Sequence, residues 1–167
     1  NTFLFSRDTK INAVMEAARS LGFPHHVREF RKELLGEIVD LIVREGFPNN
    51  AIQQVHREAI RELSGEYKVI ADGTRFGDRV PLLTDDEVRS FGDRFGCSYI
   101  RPLIGFPKKE VERLVSRHLI ISYGETGEIQ NGDYETEIRG ELVKRGLSPE
   151  SFFPPVHRQS LVTGRKP

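Results

Sequence analysis

Apolar residues along this chain form short runs that alternate with longer stretches of helical spacing. Thr2–Phe5 (TFLF) is a run of the kind a buried strand shows. Lys10–Leu21 follows with Ile11, Val14, Met15, Ala18 and Leu21 on one helical face, and Gly22 stands where a helix C-cap belongs. His26–Phe30 reads as a second strand. Leu34, Leu35, Ile38, Val39, Leu41, Ile42 and Val43 make an apolar helix that ends near Gly46-Phe47-Pro48. Asn49 or Asn50 can cap the next helix, whose inner face carries Ile52, Val55, Ala59, Ile60 and Leu63. Tyr67–Ala71 is a third strand. Thr84-Asp85-Asp86-Glu87 has the form of a capping box and opens a helix to about Phe95. Ser98–Leu103 is a fourth strand, and Pro107 suits the first position of a helix reaching His118. A last helix starts at Asp133, with Ile138, Leu142 and Val143 inward and Gly146 beyond its end. The tail, Pro149–Pro167, is rich in Pro, Ser and basic residues and has weak periodicity.

Strands alternating with helices require crossover connections, which predict an α/β fold: an open, mostly parallel sheet with helices on both faces, three layers in all. The expected organisation is a single domain over residues 1–167, with a core at 1–120 and a helical extension and tail at 121–167. Tyr123–Gly132 is a glycine-rich polar loop, read as a connection, with a lid over a ligand as the alternative.

Composition narrows the function classes. The chain has 167 residues, with Lys+Arg and Asp+Glu both 25 and a formal net charge of zero. That balance argues against bulk electrostatic capture of nucleic acid or an acidic membrane, although a local basic patch stays open. The lone cysteine, Cys97, excludes an internal disulfide and reads as a small core residue in a reducing, cytoplasmic setting. No apolar run approaches the ~20 residues needed to span a bilayer, and no signal peptide is visible.

The densest candidate chemistry follows the third strand. Val69–Ala71 empties into Asp72-Gly73-Thr74 and then a polar loop with Arg75, Asp78 and Arg79. Open α/β sheets place ligands at such strand ends. Gly73 admits close backbone approach, Arg75 and Arg79 can take phosphate oxygens, and Asp72 or Asp78 could hold Mg²⁺. The plainer reading is a turn shaped by Asp and Gly, with its arginines paired to nearby carboxylates. A second candidate follows the fourth strand, where Lys108 and Lys109 stand in the first turn of a helix that disfavours cations. His25, His26, His56, His118 and His157 show no metal-binding spacing.

Four pieces in order resemble the PP-loop superfamily, the N-type ATP pyrophosphatase or adenine nucleotide alpha-hydrolase-like proteins of the HUP-like, Rossmann-like class. They are Leu21-Gly22-Phe23-Pro24-His25-His26-Val27, Phe47-Pro48-Asn49-Asn50, Ile70-Ala71-Asp72-Gly73-Thr74 with Asp78, and Ile100-Arg101-Pro102-Leu103 with Lys108-Lys109-Glu110-Val111. The resemblance covers about Thr2 to Leu119, and unassigned archaeal asparagine-synthase-like proteins are similar. It implies ATP and Mg²⁺ as cofactors and an unknown small-molecule substrate, adenylated at a carbonyl or carboxyl group with release of pyrophosphate. Asp72, Gly73, Thr74, Arg75 and Arg101 would line the nucleotide site, with Phe5 and Ser6 near adenine. Asp78, Arg79 and Lys108 would act on the phosphates, with Asp78 on the metal. The family's SGGxDS loop is not in the chain, and the spacing to Leu21–Val27 makes Thr2–Phe5 the family's second strand. The expectation is that the first strand, its loop and its helix, about 35 residues, precede Asn1. An uncovered sheet edge would then favour association with a second copy. Two alternatives stand beside this: a non-catalytic nucleotide- or protein-binding module, and a tRNA-modifying enzyme of the same fold. Arg158, Arg165 and Lys166 are the tail's small contribution to a basic surface for the latter.

Overall fold

Each of the four apolar runs carries a strand of three residues, and each amphipathic stretch carries a helix. The computed structural model describes residues 1–125, 128–129, 134–155 and 158–166. In chain order the elements are β1 (Thr2–Leu4), α1 (Asn12–Leu21), β2 (Val27–Glu29), α2 (Leu34–Glu45), α3 (Asn49–Ser64) and β3 (Val69–Ala71). They continue with α4 (Asp85–Phe95), β4 (Ser98–Ile100), α5 (Lys108–His118), β5 (Leu119–Glu125), α6 (Tyr134–Lys144), a 3-10 turn (Pro149–Ser151) and β6 (Arg158–Arg165).

The α/β class holds. Among the described residues the strands hydrogen-bond in three two-stranded sheets. β1 and β2 are parallel, with Phe3 opposite Arg28; β3 and β4 are parallel, with Ile70 opposite Tyr99. Each pair is linked through helix, as parallel strands require. β5 and β6 are antiparallel from Leu119↔Arg165 to Glu125↔Arg158, with a register shift between Ile120 and Ile121. This third pair departs from the sequence reading. The tail carries a strand, and the expected loop from Tyr123 is strand through Glu125. Of that loop, residues 126, 127 and 130–132 lie outside the described residues, as does Asp133 at the expected helix start.

The chain forms two compact units, one of residues 1–51 and 114–167, the other of residues 52–113. In the first, α2 packs on α6, and Leu34, Ile38, Val39, Ile42, Ile138 and Leu142 are at most 1% exposed. Phe3 and Phe30 stack beside them with ring centroids 4.9 Å apart. Burying one such aliphatic side chain contributes roughly 1.5–3 kcal/mol. At the end of β1, the Glu137 carboxylate of α6 accepts the N–H groups of Phe5 at 3.0 Å and Ser6 at 2.9 Å, and the Thr9 hydroxyl at 2.6 Å.

In the second unit the core is Ile60, Ile70, Leu83, Cys97 and Tyr99, with Val88, Phe91 and Phe95 of α4 packed against it. Cys97 is 1% exposed, as a core cysteine should be. The capping box opens α4: Thr84 Oγ1 accepts the Glu87 N–H at 3.2 Å, and Glu87 Oε2 accepts the Thr84 N–H at 2.7 Å. Gly96 closes the helix in the left-handed region at φ 59°.

Candidate functional site

β3 runs to Ala71, the Asp72 N–H still donates to the Ile100 carbonyl of β4 at 3.1 Å, and the chain then turns through Asp72-Gly73-Thr74. Asp72 Oδ1 accepts the Thr74 N–H at 2.9 Å, the local turn that Asp side chains favour. Its other oxygen, Oδ2, accepts the Tyr99 hydroxyl and lies 3.1 Å from His56 Nε2. His56 comes from α3 and Tyr99 from the middle of β4, so one carboxylate ties the strand end to a helix and to the neighbouring strand. Burial alone would push the Asp72 carboxyl up. The hydrogen bonds from His56, Tyr99 and Thr74 outweigh it and hold the group well below the usual carboxylate range. Tyr99, buried and bonded to that carboxylate, is pushed well above an ordinary phenol. Asp72 is therefore ionised at neutral pH, and both the Tyr99 O–H and the His56 Nε2–H donate to it.

The following loop closes on itself. Asp78 Oδ2 accepts the Arg75 backbone N–H at 2.8 Å and Nε–H at 3.2 Å, and Oδ1 accepts Nη2–H at 2.9 Å. Burial raises the Asp78 carboxyl, but the Arg75 hydrogen bonds and charge more than offset it, and the net shift is downward. Gly77 sits in this turn at φ 85°, a conformation that glycine adopts without strain. Further on, the Gln53 side-chain amide pairs with both backbone groups of Leu82: Nε2–H donates to the carbonyl at 2.9 Å, and Oε1 accepts the N–H at 2.7 Å. Gln53 is 8% exposed, so this pairing satisfies a buried amide while anchoring the loop to α3.

The two segments singled out from sequence converge. The Phe76 N–H donates to the Phe106 carbonyl at 3.1 Å, and Phe76 forms a parallel bridge with Pro107. The parallel ladder of β3 and β4 thus resumes past both strand ends and sets residues 72–79 beside residues 105–109. Arg79 is exposed there, as are Lys108 and Lys109 in the first turn of α5. Lys108 Nζ is 3.8 Å from Glu112, a weak pair 72% and 55% exposed. An added Cβ at Gly73 would meet nothing within 4 Å, so the turn faces open space.

The other expected residues are engaged by the protein's own groups. Arg101 donates Nη1–H to the Leu83 carbonyl at 2.7 Å and Nη2–H to Asp85 at 2.8 Å, which fixes the entry to α4. Phe5 and Ser6 belong to the other unit, where their amides hold Glu137. The carboxylates are also spent. Asp72 and Asp78 are bonded to the protein's own donors, and no cluster of three His, Cys, Asp or Glu side chains suited to a metal exists among the described residues. The donor set does not fit Mg²⁺; Gly73, Arg79 and the two lysines fit a phosphate-bearing anion. His56, Tyr99 and Gln53 are the residues that sequence reasoning missed. No local motif marks them, because their partners lie 16 to 29 positions away. A cleft of about 390 Å³ elsewhere in the unit, lined by residues including Arg57, Leu83, Glu87, Phe91 and Arg94, contains none of the strand-end groups.

Residues 1–164 match a family described as "Family of unknown function (DUF7411)". The chain belongs to that family. An uncharacterised protein of Methanocaldococcus jannaschii is 40% identical over 151 residues, which cover 90% of this chain and 75% of that protein. A crystal structure from the same organism is described as a predicted subunit of tRNA methyltransferase. It superposes with a TM-score of 0.89 at 38% identity, covering 99% of this chain and 83% of that one. Family membership and the α/β fold follow from these matches. No described helix is long and apolar enough to cross a membrane.

Proposed function

We propose that this chain is the nucleotide-binding α/β domain of an ATP-dependent tRNA-modifying enzyme, with its phosphate-binding face at the end of β3 and β4. One observation carries the reading: the Phe76–Pro107 bridge brings Asp72–Arg79 and Gly105–Lys109 to a single strand end, with Gly73 open and Arg79 and Lys109 exposed. A strand terminus of a parallel pair is where such folds take ligands. The four PP-loop-like sequence pieces support ATP as the nucleotide. The likeness to a protein described as a predicted tRNA methyltransferase subunit supports tRNA as the molecule modified.

In this reading Asp72 does not touch the ligand. It positions Thr74 and the turn through His56 and Tyr99, so that the Gly73 backbone can approach the nucleotide. Lys108 balances phosphate charge on the nucleotide, while Arg79 and Lys109 stay exposed at the same strand end. A bound ATP would bring its own Mg²⁺, since Asp72 and Asp78 are engaged by the protein's own donors. The chemistry a bound ATP supplies is an electrophilic α-phosphate with pyrophosphate as leaving group, as adenylation of a carbonyl or carboxyl oxygen requires.

The test is a thermal shift with Mg-ATP. At ten times Kd a ligand stabilises the folded state by about 1.4 kcal/mol, or about 3–6 °C for a chain of this size. Gly73→Leu fills the open space over the turn, and Gly73 has no positive φ. The variant should melt like wild type without ATP and lose the shift with it. Equal shifts in both proteins, or none in wild type, would remove the site.

A further inference from the structure

Two phenylalanines at this strand end are exposed where a folded chain ordinarily hides such rings: Phe76 is 68% exposed and Phe106 is 44% exposed. They are held together by the backbone, since the Phe76 N–H donates to the Phe106 carbonyl. Neither ring stacks on another aromatic ring among the described residues. Each has a basic residue three positions on, Arg79 after Phe76 and Lys109 after Phe106. Both of these are exposed and have no ion-pair or hydrogen-bond partner among the described side chains. Arg75, by contrast, is consumed by Asp78.

We infer that Phe76 and Phe106 form a stacking platform for unpaired RNA bases, with Arg79 and Lys109 taking the flanking phosphates. Rings that offer free faces beside unneutralised cations match what single-stranded nucleic acid presents: a π-face on every base and a charge on every linkage. A duplex would leave the rings unused, because its bases are already stacked. A protein partner could cover the rings, but the uncompensated positive charge on both segments favours a polyanion. The inference deepens the proposed function and rests on its reading of this strand end as the site of an RNA-modifying protein.

The experiment measures anisotropy of a labelled unpaired RNA oligonucleotide and of its duplex with the whole protein, alongside the Mg-ATP thermal shift. Phe76→Ala/Phe106→Ala should weaken unpaired RNA binding roughly tenfold or more. Its melting temperature should stay at the wild-type value, since both rings are exposed. Phe76→Tyr/Phe106→Tyr should bind as wild type. Arg79→Ala/Lys109→Ala should reduce the salt dependence of log K by about 0.7 per cation. Equal RNA binding by wild type and the double alanine variant overturns the inference, as does duplex binding as tight as unpaired binding. Absence of RNA binding with an intact ATP shift overturns it and leaves the nucleotide reading standing. Ring-dependent RNA binding without any ATP shift supports it and removes the nucleotide reading. If the rings change only self-association in sedimentation, the platform is a protein contact and the inference fails.

Discussion

Replacing Asp72 with Asn probes the bracket at the centre of the site at nearly constant volume. The wild-type carboxylate receives the Thr74 N–H, the Tyr99 O–H and the His56 Nε2–H. An Asn side chain offers one acceptor oxygen and points an NH₂ group at donors. At least one of the three donors then loses its acceptor, in a site where Tyr99 is only 6% exposed. Hydrogen bonds to a charged group contribute roughly 1.5–3 kcal/mol each, and a buried donor left unmatched costs about 1–3 kcal/mol. A loss of about 3 kcal/mol is expected, or roughly 6–12 °C in melting temperature. The pH dependence gives a second reading. The folded carboxyl is held below its unfolded value near 3.9, so its contribution is present above about pH 4 and falls as pH drops towards the lower folded value. Urea titrations of both proteins should therefore show a full stability gap at pH 7 that narrows below about pH 4. A gap under about 1 kcal/mol at pH 7, or one independent of pH down to 3, would refute the bracket.

Two other contacts predict measurable losses. Gln53→Ala removes both partners of the Leu82 backbone at 2.7 and 2.9 Å and should cost about 1–3 kcal/mol in urea unfolding; Gln53→Glu should fail to restore it, because a carboxylate has no N–H for the Leu82 carbonyl. Glu137→Gln retains one acceptor for the three donors at the end of β1 and should destabilise by about 1–2 kcal/mol, with faster amide exchange at Phe5 and Ser6.

Local pattern and long-range pairing were unequally legible in the chain. The helices, the Thr84 capping box and the glycine helix ends at Gly22 and Gly46 depend on neighbours within one or two turns, and the spacing of apolar residues exposes them. The turn after β3 was also visible, because Asp72-Gly73-Thr74 and Arg75–Asp78 are built from residues two or three apart. The β5–β6 pair was not. β6 has only Leu161 and Val162 as apolar residues, and its partners lie 33 to 46 positions earlier, so nothing local marks it as a strand. The Arg101 bond to the Leu83 carbonyl spans 18 positions, so no local motif shows it. Convergence of residues 72–79 with 105–109 depended on a single bridge past the strand ends, which no periodicity encodes.

The most direct test of the strand-end site is an amide chemical-shift titration of the protein with Mg-ATP. The account predicts that resonances of Gly73–Arg79 and Gly105–Lys109 move together along one saturation curve, and that the Gly73→Leu variant shows none of these changes. Saturable shifts confined to residues outside both segments, or shifts in one segment without the other, would contradict it.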